Sequence, residues 1–199
     1  TLIVRAPLKI SNKIIEQIIR EKETWITTRR NEILSRKDHR QPHIYREGEF
    51  FWYLGMQYPL KLAAAQKQPL LFNGQFSLDQ RYLPSAAKIF EDWYRRQARY
   101  LLNERLDLVA KQHGLTYNRF RLSSARTRWG SCASTGTISL VWRLVMAPIP
   151  VIDYVALHEL MHLRLHNHSR AYWEQITAVM PEYRAHISWL KEHGHQLFL

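Results

Sequence analysis

One segment restricts the folds open to this chain more than any other, the run from Val151 to Leu165. Val151, Ile152, Val155, Ala156, Leu157, Leu160, Met161 and Leu163 set apolar side chains around most of a helical circumference, the pattern of a helix enclosed by protein. No Gly or Pro interrupts the stretch from Ile152 to Leu165. Pro148 and Pro150 stand where a helix begins, and Asp153 complements the positive end of its dipole. Yet this helix carries His158-Glu159-Leu160-Met161-His162. Ionisable groups inside a core need partners. Histidines four apart lie on one helical face, one turn apart, so a single metal ion serves both. The intervening Glu159 is then placed to take a proton from a water that the ion acidifies. A chain of this length with ten histidines would show the His-Glu-x-x-His pattern by chance roughly three times in a hundred. Two hydrogen-bonded core histidines are the alternative.

A third ligand requires the helix to stop and the chain to turn back. Asn167 is the residue that tolerates the left-handed conformation closing a helix. Ser169 then caps a second helix from Arg170 to about Met180, stopped by Pro181. His168 is thereby pinned between two helix ends and is the expected third ligand. His166 is its competitor, and Glu174, Glu182 and Glu192 are glutamate alternatives. Proteases with a third histidine at this spacing carry glycine where this chain has Leu165, so the turn differs from theirs. Three protein ligands leave one coordination place free, as in a catalytic zinc site; structural sites close with four. Zn²⁺ is therefore the expected cofactor. Its chemistry serves an amide and a phosphoanhydride alike.

The rest of the chain reads as α+β. A short strand is expected over Leu2–Arg5, then a helix from Ser11 to about Leu34 burying Ile14, Ile15, Ile18, Ile19, Trp25 and Ile26. Ser35–Glu49 reads as a polar loop. Short strands follow at Phe50–Leu54, Tyr58–Ala63 and Leu70–Phe72, and Asn73-Gly74 signals a two-residue hairpin into Phe76–Leu78. Ser85 caps a long amphipathic helix reaching His113 and closed by Gly114. Beyond it lie strands at Phe120–Ser123 and Thr137–Leu144, and a last helix over Pro181–Glu192. His186, His193 and His195 read as surface histidines. The expected organisation is residues 1–84, an N-terminal helix and hairpin region packed on the catalytic part, and residues 85–199, the catalytic region, in one continuous domain.

Composition narrows the setting. The formal net charge is +12, and arginine outnumbers lysine about two to one, a bias suited to gripping phosphate or carboxylate. A basic surface on an ordinary protein, nucleic acid, nucleotide and acidic peptide all remain open as explanations. No stretch reaches the length of a membrane span and no signal-peptide pattern opens the chain. Cys132 is alone, which excludes an internal disulfide and suits a reducing, cytoplasmic setting.

Several motifs together resemble the YgjP-like, zincin-type metal-dependent hydrolases. They are Thr127-Arg128-Trp129-Gly130-Ser131-Cys132, the stretch from Gly136 to Leu144, His158-Glu159-Leu160-Met161-His162-Leu163, and Asn167-His168-Ser169 followed by Tyr172-Trp173. Tyr94 to Ala98 and Leu54-Gly55 to Tyr58 extend the likeness through the chain. The resemblance implies a zincin-like fold, a mixed or antiparallel sheet packed on helices with the metal on a buried H-E-x-x-H helix. It implies zinc on His158, His162 and His168, with Glu159 as catalyst. Val141 stands where many members carry Asn, and Arg170 where many carry Pro. Members usually have strands ahead of the position of Leu2, so a preceding segment is expected. The family label is peptidase-like, and some members are assigned as UTP pyrophosphatases.

In zincins the strand before the metal-binding helix is the sheet edge against which an extended substrate lies. Thr137–Leu144 is the expected edge. Arg126, Arg128 and Arg143 are candidates for oxyanion or phosphate contact, with a structural role in holding the preceding loop as the alternative. Trp129 and Trp142 read as core, and Cys132 as a small buried residue. Three functions follow as candidates: a zinc peptidase acting on extended peptides, a metal-dependent nucleoside triphosphate pyrophosphatase, and a nucleic-acid-associated protease or binding module. The last requires affinity that falls steeply with salt.

Overall fold

The structure, a computed structural model, describes residues 3–4, 6–7, 10–38 and 42–199, with the backbone alone at residue 29 and at residues 32–38. The chain divides into two compact units, Thr1–Gln41 and Pro42–Leu199.

The first unit contains helices α1 (Asn12–Glu21) and α2 (Glu23–Asp38). The single helix expected from Ser11 to Leu34 is thus broken at Lys22, whose N–H returns to Ile18 at 3.1 Å. The helical stretch also runs on through Ser35–Asp38, which the sequence reading assigned to a loop. The expected apolar stripe is not buried: Ile14, Ile18 and Trp25 are exposed, and no residue of α1 is buried. A pair of helices by itself has too little apolar area to enclose such a stripe. The strand expected over Leu2–Arg5 has both ends outside the described residues, and Ile3 and Val4 belong to no regular element.

The second unit begins with a hairpin of β1 (Phe50–Tyr53) and β2 (Met56–Ala63). Leu54 and Gly55 join them, both at positive φ (51° and 82°), the signature of a tight two-residue turn. Their N–H groups bond the carbonyls of Val145 and Met146 at 3.0 and 2.9 Å, which ties the turn to the segment ahead of the helix that carries His158 and His162. Next come β3 (Leu70–Phe72) and β4 (Phe76–Asp79), an antiparallel pair with residues 73–75 between them, one more than the expected two-residue loop. The sheet order is β1-β2-β4-β3, with β2 and β4 parallel.

A 3₁₀ turn over Gln80–Ser85 leads into α3 (Ala86–Gln112). Its buried Phe90, Tyr94, Ala98, Leu102 and Leu106 recur every four residues, so they form one face. Phe90 packs against Phe51 of the first sheet at 4.3 Å between ring centroids, and the Tyr94 hydroxyl donates to the Trp52 carbonyl at 2.6 Å.

The second sheet has the order β5-β7-β6, from β5 (Arg119–Ser123), β6 (Gly130–Cys132) and β7 (Thr137–Val141). Here the sequence expectation is corrected. The strand expected to run to Leu144 ends at Val141, and Trp142–Met146 form a buried 3₁₀ turn. Nor is β7 an edge: it lies between β5, parallel to it, and β6, antiparallel to it. The edge toward the helix that carries His158 and His162 is β6, and its three residues, Gly-Ser-Cys, have no apolar alternation that marks a strand in sequence.

Helix α4 (Ile149–Met161) runs through the core, with Val151, Ile152, Val155, Ala156, Leu157 and Leu160 all buried. It starts at Ile149, between the two prolines as expected, and ends short of Leu165. Asp153 therefore sits in its second turn, where Arg105 of α3 grips it through two bonds of 2.8 and 2.5 Å. Helices α5 (Arg170–Val179) and α6 (Tyr183–His193) complete the unit. Among the described residues, two mixed sheets and six helices make the fold α+β. Among the described residues no helix is long and apolar enough to cross a membrane.

Candidate metal centre

His158 sits three residues from the end of α4 and His162 caps that end, as the four-residue spacing requires. The helix tightens there, with the His162 N–H bonding the Glu159 carbonyl at 3.2 Å. A turn over residues 162–164 reverses the chain, and Ser169 caps α5 by accepting the Tyr172 N–H at 3.4 Å. His168 precedes that cap, fixed between a helix end and a helix start.

The three side chains converge through Nε2. His168 Nε2 lies 3.1 Å from His162 Nε2 and 3.2 Å from His158 Nε2, and these three form a group able to hold a metal ion. Nitrogens on one tetrahedral zinc, at bond lengths of 2.0–2.1 Å, stand about 3.3 Å apart. The observed separations fit that donor set. His162 Nδ1 lies 3.0 Å from the Leu165 carbonyl. A carbonyl only accepts, so this nitrogen carries the proton and Nε2 offers its lone pair to the cluster. Burial, then His162 and His168, pushes the His158 pKa down to about 4, and burial followed by His162 lowers that of His168. Both stay neutral at pH 7, the state a ligand needs.

Glu159 is only 6 % exposed. Burial pushes its carboxyl up to about 7, and the Arg128 guanidinium pulls the other way. Its near neighbour is backbone. A methyl group added at Gly130 of β6 would lie 2.6 Å from both Glu159 Cγ and Oε1, so only glycine lets the edge strand approach this closely.

The three arginine candidates separate. Arg128 is exposed and close enough for its field to reach Glu159, and Arg126 is exposed on the same loop. Arg143 is 6 % exposed, donates to the Ala125 carbonyl, and lies over the rings of Trp142 and Phe198. It holds the loop ahead of β6. Trp142 is core and Trp129 packs against it. Cys132 is half-buried rather than buried, and burial, with Glu159 beside it, raises its thiol pKa. It is a neutral thiol facing the carboxylate. His166 is exposed and outside the cluster, as are Glu174, Glu182 and Glu192; Glu174 pairs with Arg170 at 2.7 Å. His186, His193 and His195 are half-buried, not at the surface as expected; α6 lays His186 against Tyr154 and His193 against Trp189.

Sequence reasoning assigned no role to Tyr172. It is fully buried, and its hydroxyl lies 2.8 Å from His158 Nδ1. Burial holds its phenol pKa far above the ordinary value. The signal available in sequence was its place three residues after the Ser169 cap, which fixes it one turn into α5.

Residues 1–193 match the family described as "YgjP-like, metallopeptidase domain". The chain belongs to the YgjP-like family. Membership points to a metal-dependent hydrolase of metallopeptidase type, and the histidine triad is a group of side chains that could hold an ion. No curated protein matches it.

Proposed function

We propose that this YgjP-like protein is a zinc-dependent peptidase of zincin type, with His158, His162 and His168 as ligands and Glu159 as general base. Zinc bound there supplies Lewis acidity, polarising a carbonyl and acidifying a water. The Glu159 carboxylate takes the proton from the attacking water and passes it to the leaving amine. Its raised pKa, near 7, suits a group that both accepts and donates at neutral pH.

The observation that carries the peptide reading is the free edge of β6 beside that carboxylate. Val141 N–H bonds the Trp129 carbonyl, and Ala133 N–H bonds the Thr137 carbonyl. Antiparallel bonding alternates, so Trp129, Ser131 and Ala133 face β7, while Gly130 and Cys132 turn their N–H and C=O outward. An extended peptide added there makes main-chain bonds at Gly130, in contact with Glu159. Side-chain charge then favours acidic sequences. Arg126 and Arg128 flank β6, and a groove between α5 and α6, lined by Trp173, Tyr183, Arg184 and Lys191, opens beside His168, which Trp173 stacks on at 5.8 Å.

The same cations support a second reading, a nucleoside triphosphate pyrophosphatase in which Arg128 and its neighbours grip the phosphates. One assay separates them. Zinc-loaded protein is offered an unfolded acidic polypeptide and, separately, each nucleoside triphosphate. Cleavage of the polypeptide, lost in Glu159→Gln while the variant keeps its zinc, is the expected outcome. Diphosphate release without peptide cleavage would replace the peptidase by the second reading. Glu159→Gln losing zinc as readily as His158→Ala would remove the base assignment.

A further inference from the structure

One side chain touches all three histidines. The Tyr172 ring stacks on His162 at 4.8 Å and 23°, and meets His168 edge-on at 5.0 Å and His158 at 5.5 Å. Its hydroxyl lies between two atoms of His158, the main-chain carbonyl oxygen at 2.9 Å and ring Nδ1 at 2.8 Å.

A phenol has one proton. The carbonyl oxygen accepts only, so the short contact to it consumes that proton. Toward Nδ1 the hydroxyl then offers a lone pair, and the ring nitrogen must be the donor. His158 is thereby held as the Nδ1–H tautomer, with the Nε2 lone pair aimed at His168. The reverse arrangement, with the phenol donating to Nδ1, puts an N–H on Nε2. It also leaves the His158 carbonyl without this bond, an uncompensated desolvation that the observed contact avoids.

That carbonyl has lost its usual partner. In a continuing α-helix the His162 N–H would bond the His158 carbonyl; here it bonds Glu159 instead, at 3.2 Å. The helix tightens at the second ligand, and the freed carbonyl is taken by a side chain from α5. Because Tyr172 is tied to Ser169 at the α5 N-terminus, the segment that delivers His168 also caps the helix that delivers His158 and His162.

We propose that Tyr172 is the positioning residue of the metal centre: its hydroxyl caps the freed His158 carbonyl and fixes the His158 tautomer, so that the His158 Nε2 lone pair is aimed into the cluster before any ion arrives. This rests on the metal-ligand reading of the triad, and the test keeps the two apart. Zinc affinity is measured by chelator competition for wild type and Tyr172→Phe, which keeps the ring and loses the hydroxyl. The His158 tautomer is read from imidazole ¹⁵N shifts in metal-free protein. Expected are a weakening of zinc binding by about 10- to 100-fold with a native circular-dichroism spectrum, a wild-type His158 protonated on Nδ1, and a shift toward Nε2–H in the variant. Equal zinc affinity in a folded variant, or a wild-type His158 protonated on Nε2, overturns the proposal. If Tyr172→Phe does not fold, the wild-type tautomer alone decides. A wild type that binds no zinc sinks the metal reading, and the tautomer still reports on Tyr172.

Discussion

Replacing Glu159 by glutamine should stabilise the metal-free protein while ending hydrolysis. The carboxyl is nearly enclosed, and burial lifts its pKa from 4.5 to about 7 against the opposing field of Arg128. An acid whose folded-state pKa is raised costs stability wherever the unfolded chain would already be ionised. Below pH 4.5 it is protonated in both states and the cost vanishes. Between 4.5 and about 7 the cost grows, and above that it is constant. At about 1.4 kcal/mol per pH unit, the interval amounts to about 3 kcal/mol. Glutamine has the same shape and no charge, so the variant should gain that amount at pH 8 and little at pH 4.5. For a unit of this size the gain corresponds to a Tm about 6–12 °C higher. The assay is thermal unfolding of both proteins with excess chelator across pH 4.5–8.5. Charging of His158 in acid destabilises both equally and cancels in the difference. A variant no more stable than wild type at pH 8, or one whose advantage is as large at pH 4.5, would refute the reasoning.

Three further outcomes follow from the geometry. Gly130→Ala should fold yet lose about 10²-fold in turnover, because the new methyl group would stand 2.6 Å from the Glu159 carboxylate and must displace it by most of an ångström; steady-state kinetics on a chosen peptide reads this, and unchanged turnover would detach β6 from the site. His168→Ala should abolish tight zinc binding and His166→Ala should leave it intact, by metal analysis after dialysis; the reverse pattern would exchange the third ligand. Gly55→Ala should destabilise the protein by about 2 kcal/mol or more, since it combines a φ of +82° with a methyl group 2.6 Å from the Pro148 ring; denaturant unfolding measures it, and a cost below about 0.5 kcal/mol would mean the turn is not clamped.

The legible part of the centre was the part written in local periodicity. The four-residue spacing on an apolar run brings His158 and His162 to one face with Glu159 between them, because helical geometry alone does so. A cap at Ser169 fixes where the next helix starts, and so where His168 stands. The long helix from Ala86 and the hairpin pairs were legible for the same reason, since their signals lie within a few residues of one another.

What the sequence withheld depends on contacts between distant segments. Nothing in Gly130-Ser131-Cys132 alternates, so β6 is a strand only because β7 offers it a ladder, and it is the edge only because β5 takes the other side. Arg143 looks like a substrate contact in sequence and is buried under Phe198, 55 residues on. The isoleucines of α1 read as a core stripe and none is buried, with Ile14 and Ile18 exposed, for want of enclosing apolar area. Tyr172 gains its role from a carbonyl that a neighbouring helix happens to release. The amino-acid order alone set which atoms can bind a cation, through spacing that any helix enforces. Which hydrogen-bond partners those atoms meet, which strand forms the sheet edge beside Glu159 and how far its carboxyl pKa is raised were decided by tertiary packing, because those partners and the burial come from residues far away in the chain.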